Sequence, residues 1–353
     1  MKRNISDLLD NYPTELTEFI DLENDTPLSS SRIKDLTMNK ITHKKVKNSR
    51  NVIRVAVVAA SLTIFSVSAF AASYILGAGT FFQDFFSKDG SNLTSKQIEI
   101  MDQIGKTFGQ GVISNGTQIT PVAALADENV YYLKLQIKAP ENVVLPDYSS
   151  EEGYYQLFGN NADEGMELDL SSYQSPGYSM DLEWLQDDNP ADNIKEVVVI
   201  LQSMPGSDLK FNDNISKNLK IQGLWLQSTD KEYTQILDGE FNFDIGLYYE
   251  DEVISLDCDG LVWEDELGCT ITLKELELSP LSLSYEHYVE GSYNKDEVEP
   301  GVGPCEICFT DGSTKALEVA YSNDSEGYFI FDKPLDLTQV DCIKFGDHKV
   351  SVH

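Results

Sequence analysis

Residues 118–137 read QITPVAALADENVYYLKLQI. Two runs rich in β-branched, aromatic and aliphatic side chains flank Asp127-Glu128-Asn129, a cluster of turn formers. The pattern predicts two short strands joined by a turn. Similar runs follow downstream: GYSMDLEWL, KEVVVILQS, LKIQGLWLQ, EFNFDIGLYY, EVISLD, CTITLKELELSPLSLSYEHYV, CEICFTDG, KALEVAYS, GYFIFDKPL and CIKFGDHKVSV. Turn clusters such as NNADEG and NPADN separate them. No long helical pattern intervenes after Val112, so strand–helix–strand crossovers are not expected. Regularly spaced short strands argue for a mainly β chain built as two antiparallel, immunoglobulin-like sandwiches. The turn-rich stretch LQSTDKE, 226–232, is the expected division, giving a first domain over 77–228 and a second over 229–353.

Immediately upstream, NLTSKQIEIMDQIGKTFGQG predicts one short helix. Thr94 and Gln97 fit a capping box, and Gly105 is the expected stop. Before it, Phe81, Phe82, Phe85 and Phe86 suit either an aromatic belt at a membrane surface or packing beneath the first β domain.

Further upstream the chain changes character. Val55 to Gln83 is 29 residues without a charge, in a protein with 59 acids and 26 bases. Val55–Leu76, 22 residues, spans about 33 Å as a helix at ~1.5 Å per residue, enough for a hydrocarbon core of roughly 30 Å. No polar face interrupts it. Ser61, Thr63, Ser66 and Ser68 can bond back to helix carbonyls, and Tyr74 suits the interface. A transmembrane helix over 55–76 is therefore expected. A cleaved export signal is the rival, because Ala69-Phe70-Ala71 has the small-x-small pattern, although 54 residues precede the apolar run, and a buried core helix of a soluble domain is the third reading.

The flanks orient the span. Arg32 to Arg54 carries eight Lys/Arg against one acid, Asp35, whereas the chain beyond residue 54 holds 16 bases and 51 acids, a net of −35. Positive charge stays on the cytoplasmic side. Residues 1–54 are thus expected inside a cell membrane and the β domains outside. The basic juxtamembrane set is Lys40, Lys44, Lys45, Lys47, Arg50 and Arg54, suited to lipid head groups.

The inner segment reads as short amphipathic helices. Ile5, Leu8, Leu9 and Tyr12 share a helical face, Pro13 breaks it, Leu16, Phe19 and Ile20 resume it, and Ile33, Leu36 and Ile41 form a thinner stripe. Fewer than about 40 such residues do not build an independent core. Two uses remain open: docking on a partner that covers the apolar face, or anchoring beside the membrane.

A net charge of −33 excludes nucleic acid as an expected partner, because phosphate recognition needs a basic footprint. Cys258, Cys269, Cys305, Cys308 and Cys342 all fall in the last 96 residues. An exported domain permits disulfides, and with an odd count at least one thiol is left over or pairs between chains. CEIC at 305–308 has C-x-x-C spacing, but its alternation reads as strand, and no second pair or nearby His completes a metal set. Asp257, Asp259, Glu264, Asp265 and Glu266 contain a fragment of a calcium loop in the wrong register, so a solvated turn is expected there. Only His43, His287, His348 and His353 are present, and no lipase-like, zincin, phosphate-loop or dinucleotide motif occurs. No catalytic residue, cofactor or metal is assigned, and the chain is not read as an enzyme.

LSSSRIKDLTMNKI, placed before a basic run and a single apolar span, resembles the cytoplasmic segment of bacterial membrane proteins encoded beside extracytoplasmic-function sigma factors. ISNGTQITPVAALADENVYYLKLQIKAPENVVLP resembles the start of their outer domain, and GEFNFDIGL, LKELELSPLSLSYE and PLDLTQVDCIKFGDHKV its later strands. The resemblance covers most of residues 29–353. It implies an anti-sigma-factor-like regulator with an extracytoplasmic β domain, and it makes Leu8, Leu9, Leu16, Phe19, Ile20, Ile33 and Leu36 the expected sigma-binding surface. One departure stands out. Many anti-sigma factors carry a His…Cys-x-x-Cys zinc site inside, whereas residues 1–54 hold only His43 and no cysteine. The alternative is a membrane-tethered envelope-binding or adhesion module without catalytic activity.

Overall fold

The computed structural model describes residues 77–88, 90–141, 143–145, 153–159, 165–187, 193–213, 217–246, 253–265, 267–291 and 302–352. The expected inner segment 1–54, its seven apolar and six basic residues, and the expected span 55–76 lie outside the described residues. Among the described residues no helix is long and apolar enough to cross a membrane.

Among the described residues, two helices precede the strands, α1 (Ala78–Phe86) and α2 (Ser95–Gln103). α2 carries the expected capping box: the Gln97 N–H donates to Thr94 Oγ1, and the Gln97 side chain accepts from the Thr94 N–H. α1 has no cap of its own at Gly77, so Asp102 of α2 supplies one. Its Oδ1 accepts the Gly79 N–H at 2.8 Å. The helix ends as expected just before Gly105, after the C-cap Ile104, and this glycine also has a packing use. A Cβ there would sit 2.4 Å from the Ala78 Cβ and 2.5 Å from the Met101 carbonyl, so it permits close approach of the two helices.

Four sheets follow, and every strand pairing is antiparallel. Sheet I joins β1 (Gly105–Thr107), β3 (Thr117–Ala126), β4 (Val130–Lys138), β8 (Ile194–Ser203) and β7 (Tyr178–Trp184) in that order, with β2 (Val112–Ser114) beside β3. Sheet II joins β10 (Tyr233–Asp244), β9 (Asn218–Gln227) and β5 (Tyr154–Gln156), with β6 (Met166–Asp169) also on β9. Their facing sides share one core, including Tyr131, Leu133, Val199, Leu219, Ile221 and Phe241.

Sheet III joins β11 (Ile254–Ser255), β13 (Thr270–Leu278), β14 (Ser282–Glu290), β18 (Glu326–Ile330) and β17 (Val319–Ser322), with β12 (Val262–Glu264) on β13. Sheet IV joins β16 (Thr314–Leu317), β15 (Cys305–Phe309), β19 (Val340–Phe345) and β20 (His348–Ser351). These two also share a core, around Leu273, Tyr285, Ile307, Phe329, Ile343 and Phe345. The mainly β, antiparallel expectation holds.

The expected division at 228/229 does not. β9 and β10 pair from Tyr233↔Gln227 to Asp244↔Asn218, so residue 228 lies in a hairpin loop. Ser228 N–H bonds the Glu232 carbonyl, Lys231 N–H bonds that of Ser228, and Lys231 adopts φ 63°. Ile245 still belongs to the first core, and the second pair of sheets starts at Ile254. A hairpin loop and a linker draw on the same polar turn formers, which is why composition put the boundary one strand early.

The helices explain why β4 is buried along both faces. One face meets sheet II. On the other, Phe82, Phe85 and Phe86 of α1 and Met101 of α2 cover Leu125, Tyr132 and Val198. The Phe85 and Phe86 rings lie 5.5 and 5.4 Å from that of Tyr132, tilted and edge-on respectively. Of the two open readings of the aromatic cluster, packing beneath the β domain is the one observed.

Candidate functional site

The side of sheet III that faces away from its own core carries a cluster of charged side chains. Glu275 on β13 lies opposite Glu286 on β14, and Glu286 lies opposite Glu326 on β18. Three carboxylates therefore form a row across three strands, with directly opposed residues about 4.5–5.5 Å apart at the backbone. Like charges in opposed positions destabilise a sheet. Burial pushes the Glu286 carboxyl above its usual range, and Glu275, Glu326 and Glu277 push it further. With Lys274, Tyr288 and Ser325, the row lines a cleft of ≈ 490 Å³. Lys274 Nζ sits 5.9 Å from the Tyr288 ring centre. The Ser325 hydroxyl is engaged by Asn323 Oδ1 at 3.1 Å. This chemistry suits holding a cationic group. Among the described residues no three His, Cys, Asp or Glu converge as metal ligands.

His287, next to Glu286, also borders the cleft, but its ring lies on the Tyr285 side of β14. It is 4% exposed and packs 5.7 Å from Tyr285 on the core side of β14. Neither ring nitrogen has a hydrogen-bond partner among the described residues. Burial lowers its pKa, against an opposing pull from Asp324.

Beside the cleft the two pairs of sheets meet, and Asp127 is the centre of that junction. It is 1% exposed. One carboxylate oxygen accepts the N–H groups of Asn129 and Val130, both at 2.8 Å. The other accepts the hydroxyls of Ser279 and Ser282, both at 2.6 Å. Asn129 Nδ2 donates to Ser282 Oγ at 3.0 Å, and the Tyr328 hydroxyl donates to the Ser203 carbonyl. Leu281 and Ile330 enter the core beneath the helices. Burial raises the Asp127 pKa, and its four donors work against that rise.

The other candidates resolve locally. CEIC forms β15, with Cys305 and Cys308 both buried. All five cysteines are free thiols. In the acidic stretch at 257–265, turns flank β12: Asp257 Oδ1 accepts the Asp259 N–H, and Asp265 Oδ1 accepts those of Leu267 and Cys269. Two features escaped the sequence reading. Half of the Asp127 site was legible, because Asp followed by Glu-Asn is a local turn signal. Its other half lies 152 residues away at Ser279. The glutamate row also had no linear signal, because its members lie on three separate strands.

Neither a protein-family model nor a curated protein matches this chain. A solved structure, titled the crystal structure of the conserved domain protein from Bacillus anthracis, is similar over 74% of this chain and 82% of that one, with a TM-score of 0.47 and 14% identity. At that level the likeness carries no argument.

Proposed function

We propose that this chain is a single-pass membrane regulator of the anti-sigma-factor type. Residues 1–54 lie in the cytoplasm, residues 55–76 span the membrane, and two immunoglobulin-like sandwiches lie outside. The observation that carries the reading is the charge division about an uninterrupted apolar stretch: eight bases against one acid over Arg32–Arg54, immediately before it, and a net of −35 after residue 54. The seating of α1 supports a coupling role. It starts two residues after the expected span and is buried through Phe82, Phe85 and Phe86. A displacement of the outer unit would therefore reach the span through a packed helix. The glutamate cleft offers an outer site for a cationic ligand.

Leu8, Leu9, Leu16, Phe19, Ile20, Ile33 and Leu36 dock on an extracytoplasmic-function sigma factor in this reading. Burying one such side chain is worth about 1.5–3 kcal/mol, so Leu9→Asp or Phe19→Asp weakens binding at least roughly tenfold. The test is co-purification of the neighbouring sigma factor with the membrane-embedded chain, together with a topology reporter placed at residue 45 or 90. A reporter requiring export is expected to be active at 90 and silent at 45. Loss of sigma capture by wild type, with the expected topology intact, transfers the reading to a tethered envelope-binding module, which the exposed glutamate row would then serve.

A further inference from the structure

Five cysteines allow ten pairings, and the strand register selects one of them. Cys308 on β15 lies directly opposite Cys342 on β19. Opposed residues in antiparallel strands have Cα atoms about 4.5–5.5 Å apart, within the roughly 4.4–6.8 Å that a disulfide requires. The two thiols are already within hydrogen-bond reach of each other. No other cysteine has such a partner: Cys305 faces Leu317 and Phe345, Cys269 packs against Gly291, and Cys258 precedes β12 in a turn.

Position in the sheet separates this pair from the structural thiol beside it. Cys305, Ile307, Ile343 and Phe345 point into the core between sheets III and IV. Cys308 and Cys342 alternate with them and lie on the opposite side of sheet IV. They are 7% and 1% exposed. The Lys349 side chain bonds both Cys342 and Asp341. We propose that Cys308 and Cys342 form a redox site that closes as a cross-strand disulfide between β15 and β19.

The oxidant is a disulfide, small or protein-borne. The Cys308 thiolate, the more exposed of the two, attacks one sulfur of the oxidant, and one thiol leaves. The Cys342 thiolate then attacks the mixed disulfide and expels the second thiol. One protein dithiol and one disulfide become one protein disulfide and two thiols, with the two protein protons carried off on the leaving groups. Burial outweighs the nearby Lys349 ammonium and pushes the Cys342 thiol up to about 11. Closure is therefore slow at neutral pH and quickens as pH rises. The closed ring encloses β16, β17 and β18, and the bond itself joins two neighbouring strands of sheet IV. Supply of an oxidant in the cell rests on the outward placement proposed above; the geometry does not.

The test is thiol counting and peptide mapping on the full chain in detergent, before and after incubation with oxidised glutathione at pH 8.5. Five thiols are expected to fall to three, with Cys308 and Cys342 joined and Tm raised by roughly 5–10 °C. Cys308→Ser and Cys342→Ser should each keep four thiols under oxidation and show no rise. Five thiols persisting in wild type, or a bond mapped between other cysteines, overturns the inference. A bond that forms in the tube but is absent from chain alkylated in living cells supports the geometry and counts against the outward placement.

Discussion

Burying His287 on the core side of β14 without a hydrogen-bond partner among the described residues has a pH consequence. Its folded pKa lies below the ordinary value near 6.5, so the unfolded chain binds a proton first as pH falls. Stability carried by the neutral ring is complete above about pH 6.5 and drains away below it, until the folded-state ring also titrates. Asp324 and Tyr285 face the same ring. His287→Phe fills a similar space and removes two unsatisfied nitrogens. Its stability relative to wild type should therefore grow as pH drops from 7 to 5 in denaturant titrations. A constant difference across that range would refute the assignment. Pro121 shows the same local economy. It interrupts a central strand, which proline does only at a bulge, and the pairing of β3 with β4 shifts register between Pro121 and Ala123.

At the level of elements, the strands were readable because period-two alternation and turn formers are local properties. LSPLSLSYE, for example, reads as the end of one strand, a turn and the start of the next, and β13 and β14 form that hairpin. The capping box at Thr94 and Gln97 was readable for the same reason. The role of α1 was not, because four phenylalanines close together suit a lipid interface or a protein core equally well. Phe82 is 0% exposed and contacts both Phe85 and Phe86 at 6.4 and 6.2 Å. Phe82→Ala should cost about 3–5 kcal/mol, the range for truncating a buried aromatic. Limited proteolysis should then cut near residue 88 while the strands persist. An unchanged cleavage pattern would place α1 outside the cooperative unit.

Across the whole described molecule, the two pairs of sheets are joined by the buried Asp127 carboxylate, by the Asn129–Ser282 and Tyr328–Ser203 hydrogen bonds, and by Leu281 and Ile330 in the core beneath the helices. Asp127 satisfies four donors, two of them hydroxyls from the second pair of sheets. Asp127→Ala leaves those buried hydroxyls without their acceptor, a loss of about 3 kcal/mol. The expected result is two resolved thermal transitions where wild type shows one, because each pair of sheets keeps its own core. A single transition shifted to lower temperature would mean that the cores, through Leu281 and Ile330, couple the halves without Asp127.

Mainly β class, strand positions, the capped helix and the sharp charge division are consequences of residue type and near-neighbour spacing, so they follow from the chain read in order. The change of core between Ile245 and Ile254, the glutamate row, the Cys308–Cys342 pairing and the seat of α1 depend on which strand lies beside which. Local propensity leaves that choice open, because a turn, a linker and a hairpin loop use the same residues and any half-buried strand can pair with several others. Burial of the aromatic and aliphatic faces, summed over contacts more than a hundred residues apart, settles the choice.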